Sequence, residues 1–236
     1  MPAADSPVLQ MTGVEKRYHA LRPLRLAELT VARGERVALV GVDGGMAEVL
    51  VNLVTGAGVP DRGEVRVLGQ STRDISDGDE WLASLDRFGI VSDRAVLLEG
   101  STIAQNLAMP FTLQVDPVPP EIVARVETLA AACGIPESSL SRFVGDAPAD
   151  VRARAHLARA VALDPSLLIL EHATAGLPAS SVAGFADDVV RVTGSRGLAV
   201  LVLTLDEAFA MRVAHRALKL RPADGSLQLV GKRRWF

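Results

Sequence analysis

Between Val37 and Gly56 the chain reads VALVGVDGGMAEVLVNLVTG: a short apolar run, a glycine-rich turn, then a stretch of apolar and small residues. Gly41, Gly44 and Gly45, with Val42 and Asp43 between them, are residue types that let backbone N–H groups turn into one cavity. A helix starting directly afterwards adds the positive end of its dipole. The chemistry this suggests is capture of a phosphate. A loop of the form GxxxxGK[ST] completes that chemistry with a lysine that reaches the terminal phosphates and a hydroxyl that holds Mg²⁺. Here Met46 stands at the last glycine, Ala47 at the lysine and Glu48 at the hydroxyl residue. The outline of a phosphate cradle is kept and its charge is reversed. A strand followed by a glycine turn is weak evidence alone, so its meaning depends on the elements around it.

Those elements read as α/β. The first segment, VLQMTGVEKRYHALRPLRLAELTVARGERVALVG, alternates apolar and polar residues and is broken by glycine and proline, which predicts several early strands, some antiparallel. Unbroken apolar runs follow at 37–40, 167–170 and 199–203. Strands apolar on both faces belong to a parallel sheet covered by helices. Asp150 is positioned to cap a helix running to about Leu163 and stopped by Pro165; Ser180 or Ser181 is positioned to cap another, with Val182, Phe185 and Val189 inward and Gly194 at its end. The stripe Ile122, Val126, Leu129, Cys133 marks a helix from Glu121 to Cys133 and places the lone cysteine in a core, where a free thiol packs as a small hydrophobe. The long interval between the glycine turn and the second buried strand, with its DPVPPE loop, predicts an inserted helical subdomain over 93–163, the core comprising 1–92 and 164–236 of a single domain.

Composition excludes other classes. With 236 residues, about half of them apolar, the chain can bury a large core. Aromatic residues make up only 4% and the net charge is −3, so neither base stacking nor a basic footprint is available and nucleic acid is not an expected partner. The start, MPAADSPVLQ, joins no positive segment to an apolar one, and no run approaches the roughly 18 apolar residues of a membrane span. The expected location is cytoplasmic, with attachment to a membrane protein left open. The terminal GKRRWF reads as a frayed basic tail, with contact to a membrane or partner as the alternative.

Over nearly its whole length the chain resembles the ATP-binding subunit, or nucleotide-binding domain, of an ATP-binding-cassette (ABC) transporter. The resemblance is carried in order by GVEKRY, ARGERVALVG, DRGEVRVLGQ, RFGIVSD with GSTIAQNLAMPF, RARAHLARAVALDPSLLILEHATAGL and LAVLVLTLDEAFAMRVAHRALKL. It implies a P-loop NTPase-like fold: a mainly parallel sheet flanked by helices, an N-terminal antiparallel β subdomain and the inserted helical subdomain. It also implies roles for particular positions. Tyr18 stands where the family presents an aromatic ring to adenine, and Asp93 stands at the glutamine-loop position. The five signature residues, LSGGQ in the family, fall on Ala147, Pro148, Ala149, Asp150 and Val151. Glu171 replaces the magnesium-linked aspartate, His172 the glutamate that polarises water, Pro178 the loop aspartate and Leu205 the switch histidine. Tyr18, Gly41, Gly44 and an acid at Glu171 are what survives of the working set.

Phosphoryl transfer is catalysed by positioning and charge, supplied by lysine, Mg²⁺ and a water-orienting group. Loss of one cation about 4 Å from a phosphate forfeits on the order of 4 kcal/mol at an effective dielectric near 20, and a carboxylate facing the ligand adds repulsion of similar size. Micromolar to millimolar binding amounts to only about 8 to 4 kcal/mol. The expectation is therefore a degenerate cassette with no confident catalytic residue and no nucleotide cofactor. It would act as a structural or regulatory partner of a transporter, contacting a membrane-spanning permease and forming a cassette homodimer or heterodimer. Two alternatives stay open: an ATP-hydrolysing subunit with atypical motifs, using ATP and Mg²⁺ with Glu171 as a metal ligand, and a stand-alone adaptor. Tyr18 reads equally as a strand-end tyrosine, and His172 as a structural residue or a replacement base.

Overall fold

The computed structural model describes residues 6–231 apart from 76 and 93. Two antiparallel strands, β1 (Leu9–Lys16) and β2 (Leu24–Val31), are followed by β3 (Arg36–Val40), the glycine turn and α1 (Gly44–Val54). Next come β4 (Arg62–Val67), β5 (Gln70–Ser71), α2 (Gly78–Ser84) and β6 (Phe88–Val91). The helices α3 (Ile103–Ala108), α4 (Pro120–Ala132) and α5 (Ala149–Val161) lie between β6 and β7 (Leu167–Glu171). The chain closes with α6 (Ala179–Arg196), β8 (Ala199–Thr204), α7 (Glu207–Val213), β9 (Arg216–Leu220) and β10 (Leu227–Leu229).

The strands form two sheets. One is antiparallel, in the order β2-β1-β4-β5; the other runs β10-β9-β3-β8-β7-β6, parallel from β9 to β6 with β10 added antiparallel at the edge. The predicted apolar runs are the central strands, and their alternation shows why they had to be apolar throughout. Val37, Leu39, Ile169, Leu201 and Leu203 point into the core shared with α1 and the antiparallel sheet. Ala38, Val40, Leu168, Leu170, Val200 and Val202 point into the opposite core, built with α3 to α7. Cys133 is fully buried there, as the stripe predicts, and burial pushes its thiol up to about 12. The α5 helix is pressed so close to β6 that a Cβ on Gly89 would stand 2.1 Å from the Ala160 carbonyl oxygen.

Helix ends differ from the expectation. Asp150 does not cap α5: Pro148 is the N-cap, without a side-chain bond, and Asp150 in the first turn pairs with Arg154 at 2.6 Å. Ser180 and Ser181 likewise lie inside the first turn of α6, whose N-cap is Pro178. That helix also runs past Gly194 to Arg196, where Gly197 at φ 60° takes the left-handed closing position. A proline's fixed φ suits the start of a helix and competes there with side-chain capping.

Candidate functional site

The residues singled out by sequence converge on the carboxyl ends of the parallel strands, where open α/β sheets hold their ligands. After β3 the chain turns at Gly41, whose φ of 80° requires glycine, and the Gly41 N–H donates to the Thr204 carbonyl at the end of β8 (2.9 Å). Val42 is buried, and Asp43 caps α1 at once. Its Oδ1 accepts from the Met46 N–H and its carbonyl from the Ala47 N–H, both at 2.8 Å. Gly44 and Gly45 are thus the first residues of the helix, and the cradle shrinks to a two-residue turn before its cap. The Ala47 side chain is fully buried in the core beneath α1, whereas Glu48 is exposed.

Tyr18 and the turn do come together. The ring lies 3.7 Å from where a Cβ of Gly45 would stand, half-buried against the core under α1. Burial first, then the Asp43 carboxylate, pushes its phenol above the ordinary value. Glu171 closes β7, a strand buried along its whole length, and keeps only 6% of its side chain exposed. Its Oε2 accepts from Arg94 Nη2 at 2.6 Å, and Arg94 Nη1 lies 3.3 Å from Glu48 Oε1. One guanidinium thereby joins the acid at the hydroxyl position to the acid at the metal-linked position.

The remaining positions are dispersed. His172 adopts φ 45°, uncommon for a residue with a side chain. Its N–H donates to the Leu203 carbonyl at 2.9 Å, and its buried Nε2 has no hydrogen-bond partner among the described residues. It lines a cleft with Val91, Ser92, Ala149 and His156. Of the signature-equivalent residues, Ala147 and Val151 are core anchors, Pro148 is exposed, and Ala149 and Asp150 begin α5. Leu205 is 63% exposed, and Pro178 serves as the cap of α6. Asp93 lies outside the described residues, as do 232–236 of the basic tail.

Two cations near the turn escaped the sequence reading. Arg94 arrives because Val91 pairs with Leu170, which brings the residues after β6 alongside Glu171. Lys219 arrives because β9 lies next to β3 with Lys219 opposite Val40; its Cε is 3.9 Å from where a Gly41 Cβ would stand. The signal for Arg94 was a cation next to the glutamine-loop position. For Lys219 none exists short of knowing the strand order.

A family model described as ABC transporter matches residues 24–175. The chain is 26% identical over 219 residues to the methionine import ATP-binding protein MetN of Brucella abortus, covering 93% of this chain. It spans 58% of that relative's length. The lipoprotein-releasing system ATP-binding protein LolD of Alcanivorax borkumensis is 28% identical, with 88% of this chain and 92% of that one covered. Among solved structures, the bacterial ABC transporter cassette MJ0796 superposes with a TM-score of 0.76 at 21% identity, over 97% of this chain and 100% of that one. CbiO1 of Clostridium perfringens gives 0.79 at 19% identity, over 95% and 88%. With the cassette fold in both sheets and a family match across the turn, α1 and the insertion, the chain belongs to the ABC transporter family, in its ATP-binding, nucleotide-binding-domain branch.

Proposed function

We propose that this chain is a cassette that does not hydrolyse ATP and serves as a structural or regulatory partner within a transporter assembly. In that role it pairs with an active cassette or with its own copy and contacts a permease. The observation that carries the reading is the entry into α1. The Met46 amide, which would face a phosphate, is taken up by the Asp43 carboxylate at 2.8 Å, and the position of the lysine is buried alanine. The residues present do not fit Mg-ATP: an anion caps the turn, and the two carboxylates nearest the metal position already share a guanidinium. The docking scaffold, by contrast, is well built. Thr102 and Gln105 form a reciprocal capping box on α3, and fully buried Asn106 bonds the backbone of Leu98 and Thr102.

A second reading, nucleotide held through another arrangement, is favoured by Lys219 beside Gly41 and by Arg94. Calorimetric titration with ATP and ADP, with and without Mg²⁺, separates the two, alongside steady-state hydrolysis next to an active cassette. The proposal expects no binding heat and a turnover equal to the protein-free control. A micromolar dissociation constant, or turnover abolished by Glu171→Gln, would overturn it. Co-purification of a membrane subunit with the full chain tests the partnership, and its absence from native membranes would favour a stand-alone adaptor.

A further inference from the structure

Glu171 ends an otherwise apolar buried strand, where an ionised carboxylate is unfavourable without a countercharge at hydrogen-bond distance. Glu48 stands in the second turn of α1, on a different element, yet is drawn to the same guanidinium at 3.3 Å. Two carboxylates brought to one point by a strand end and a helix need a cation between them to balance their charge. Here the position between them is filled from within the chain.

Arg94 is held for this task. Its N–H donates to Ser92 Oγ at 3.1 Å, and the Ala95 N–H donates to the Ser92 carbonyl at 3.1 Å. From the other side, Arg159 Nη1 of α5 donates to the Val96 carbonyl at 2.8 Å. With its N–H on Ser92 and the chain two residues on held by Arg159, the planar fork bridges the two acids as a lysine's point charge could not.

We infer that Arg94 is a tethered substitute for a divalent cation between Glu48 and Glu171, so that the chain closes its own ion site and admits a metal there only when Arg94 is removed. The inference rests on the reading of the site proposed above. It is tested with metal alone, so that the two can fail separately.

The experiment titrates Mn²⁺ into the full chain and follows free Mn²⁺ by electron paramagnetic resonance, for wild type, Arg94→Lys, Arg94→Ala and Arg94→Ala with Glu171→Gln. Wild type is expected to take up no Mn²⁺ at this site, and Arg94→Lys, whose point charge cannot span both acids, to admit it more weakly than Arg94→Ala. Arg94→Ala gains one ion with affinity at least about tenfold above wild type, and the double variant loses that gain. The melting temperature of Arg94→Ala rises with Mn²⁺ while that of wild type stays constant. Equal uptake by wild type and Arg94→Ala overturns the inference, as does a folded Arg94→Ala that binds nothing. Should Arg94→Ala be unfolded without metal, recovery of its native circular dichroism on adding Mn²⁺ supports the inference and failure to recover at millimolar Mn²⁺ overturns it. ATP turnover by wild type with these metal results intact would sink the functional proposal alone. Mn²⁺ uptake by a wild type that binds no nucleotide would sink only the inference.

Discussion

Arg94 makes two ionic contacts of unequal worth, and stability measurements can tell them apart. At 2.6 Å from Glu171 and an effective dielectric of about 20, the attraction is about 6 kcal/mol before desolvation is charged against it. The guanidinium is 44% exposed, so water screens part of this, but the carboxylate at 6% exposure cannot recover hydration when its partner leaves. Arg94→Ala is expected to cost about 3 kcal/mol. The arm to Glu48 joins groups 44% and 58% exposed at 3.3 Å, the regime in which ion pairs contribute about 0–1 kcal/mol, so Glu48→Gln is expected to be nearly silent. Replacing Glu171 by leucine in the Arg94→Ala background removes the stranded charge and returns about 2 kcal/mol. Urea unfolding followed by circular dichroism gives all three values. A cost for Arg94→Ala below about 1 kcal/mol, or one matched by Glu48→Gln, would refute the claim that a buried acid depends on this cation.

Three further outcomes are expected. Ala47→Lys places an ammonium at a fully buried position, so it lowers the melting temperature and leaves ATP without effect on it; a nucleotide-dependent rise would contradict the closed turn. Burial, followed by the charges of Arg159 and Arg152, holds His156 below its ordinary 6.5, so the unfolded chain takes up the proton first as pH falls. Stability is therefore flat above about pH 6.5 and declines below it, and His156→Asn reduces that slope; unfolding midpoints at several pH values check this, and an unchanged slope would remove His156 from the account. Gly89→Ala drives a methyl group to 2.1 Å from the Ala160 carbonyl, parting α5 from β6 at a cost of about 3 kcal/mol or more, read by thermal melting and by new proteolytic cleavage around α5.

The central strands were legible because burial on both faces leaves only apolar residues, and the stripe ending at Cys133 was legible for the same reason on a helix. Helix starts were less so. Asp150 and Ser180 have the side chains of caps, but Pro148 and Pro178 precede them and fix the entry, leaving Asp150 free to pair with Arg154. At the site, the altered positions 46 to 48 could be read directly from the turn. That Asp43 closes the turn is a local event two glycines away from a cap pattern, while Arg94 and Lys219 depend on which strands become neighbours. Pairing of β6 with β7, and of β3 with β9, is decided by contacts far apart in sequence. A motif names the residues a site has lost; only the sheet order reveals what has moved in to balance them.

The segment that carries Arg94 is fastened on one flank to the ends of the sheet by an ionic contact and on the other to α5 by Arg159. Such a double attachment leaves little slack between the sheet and the inserted helices. On the proposed reading, a push on these helices would reach the strands through those two contacts.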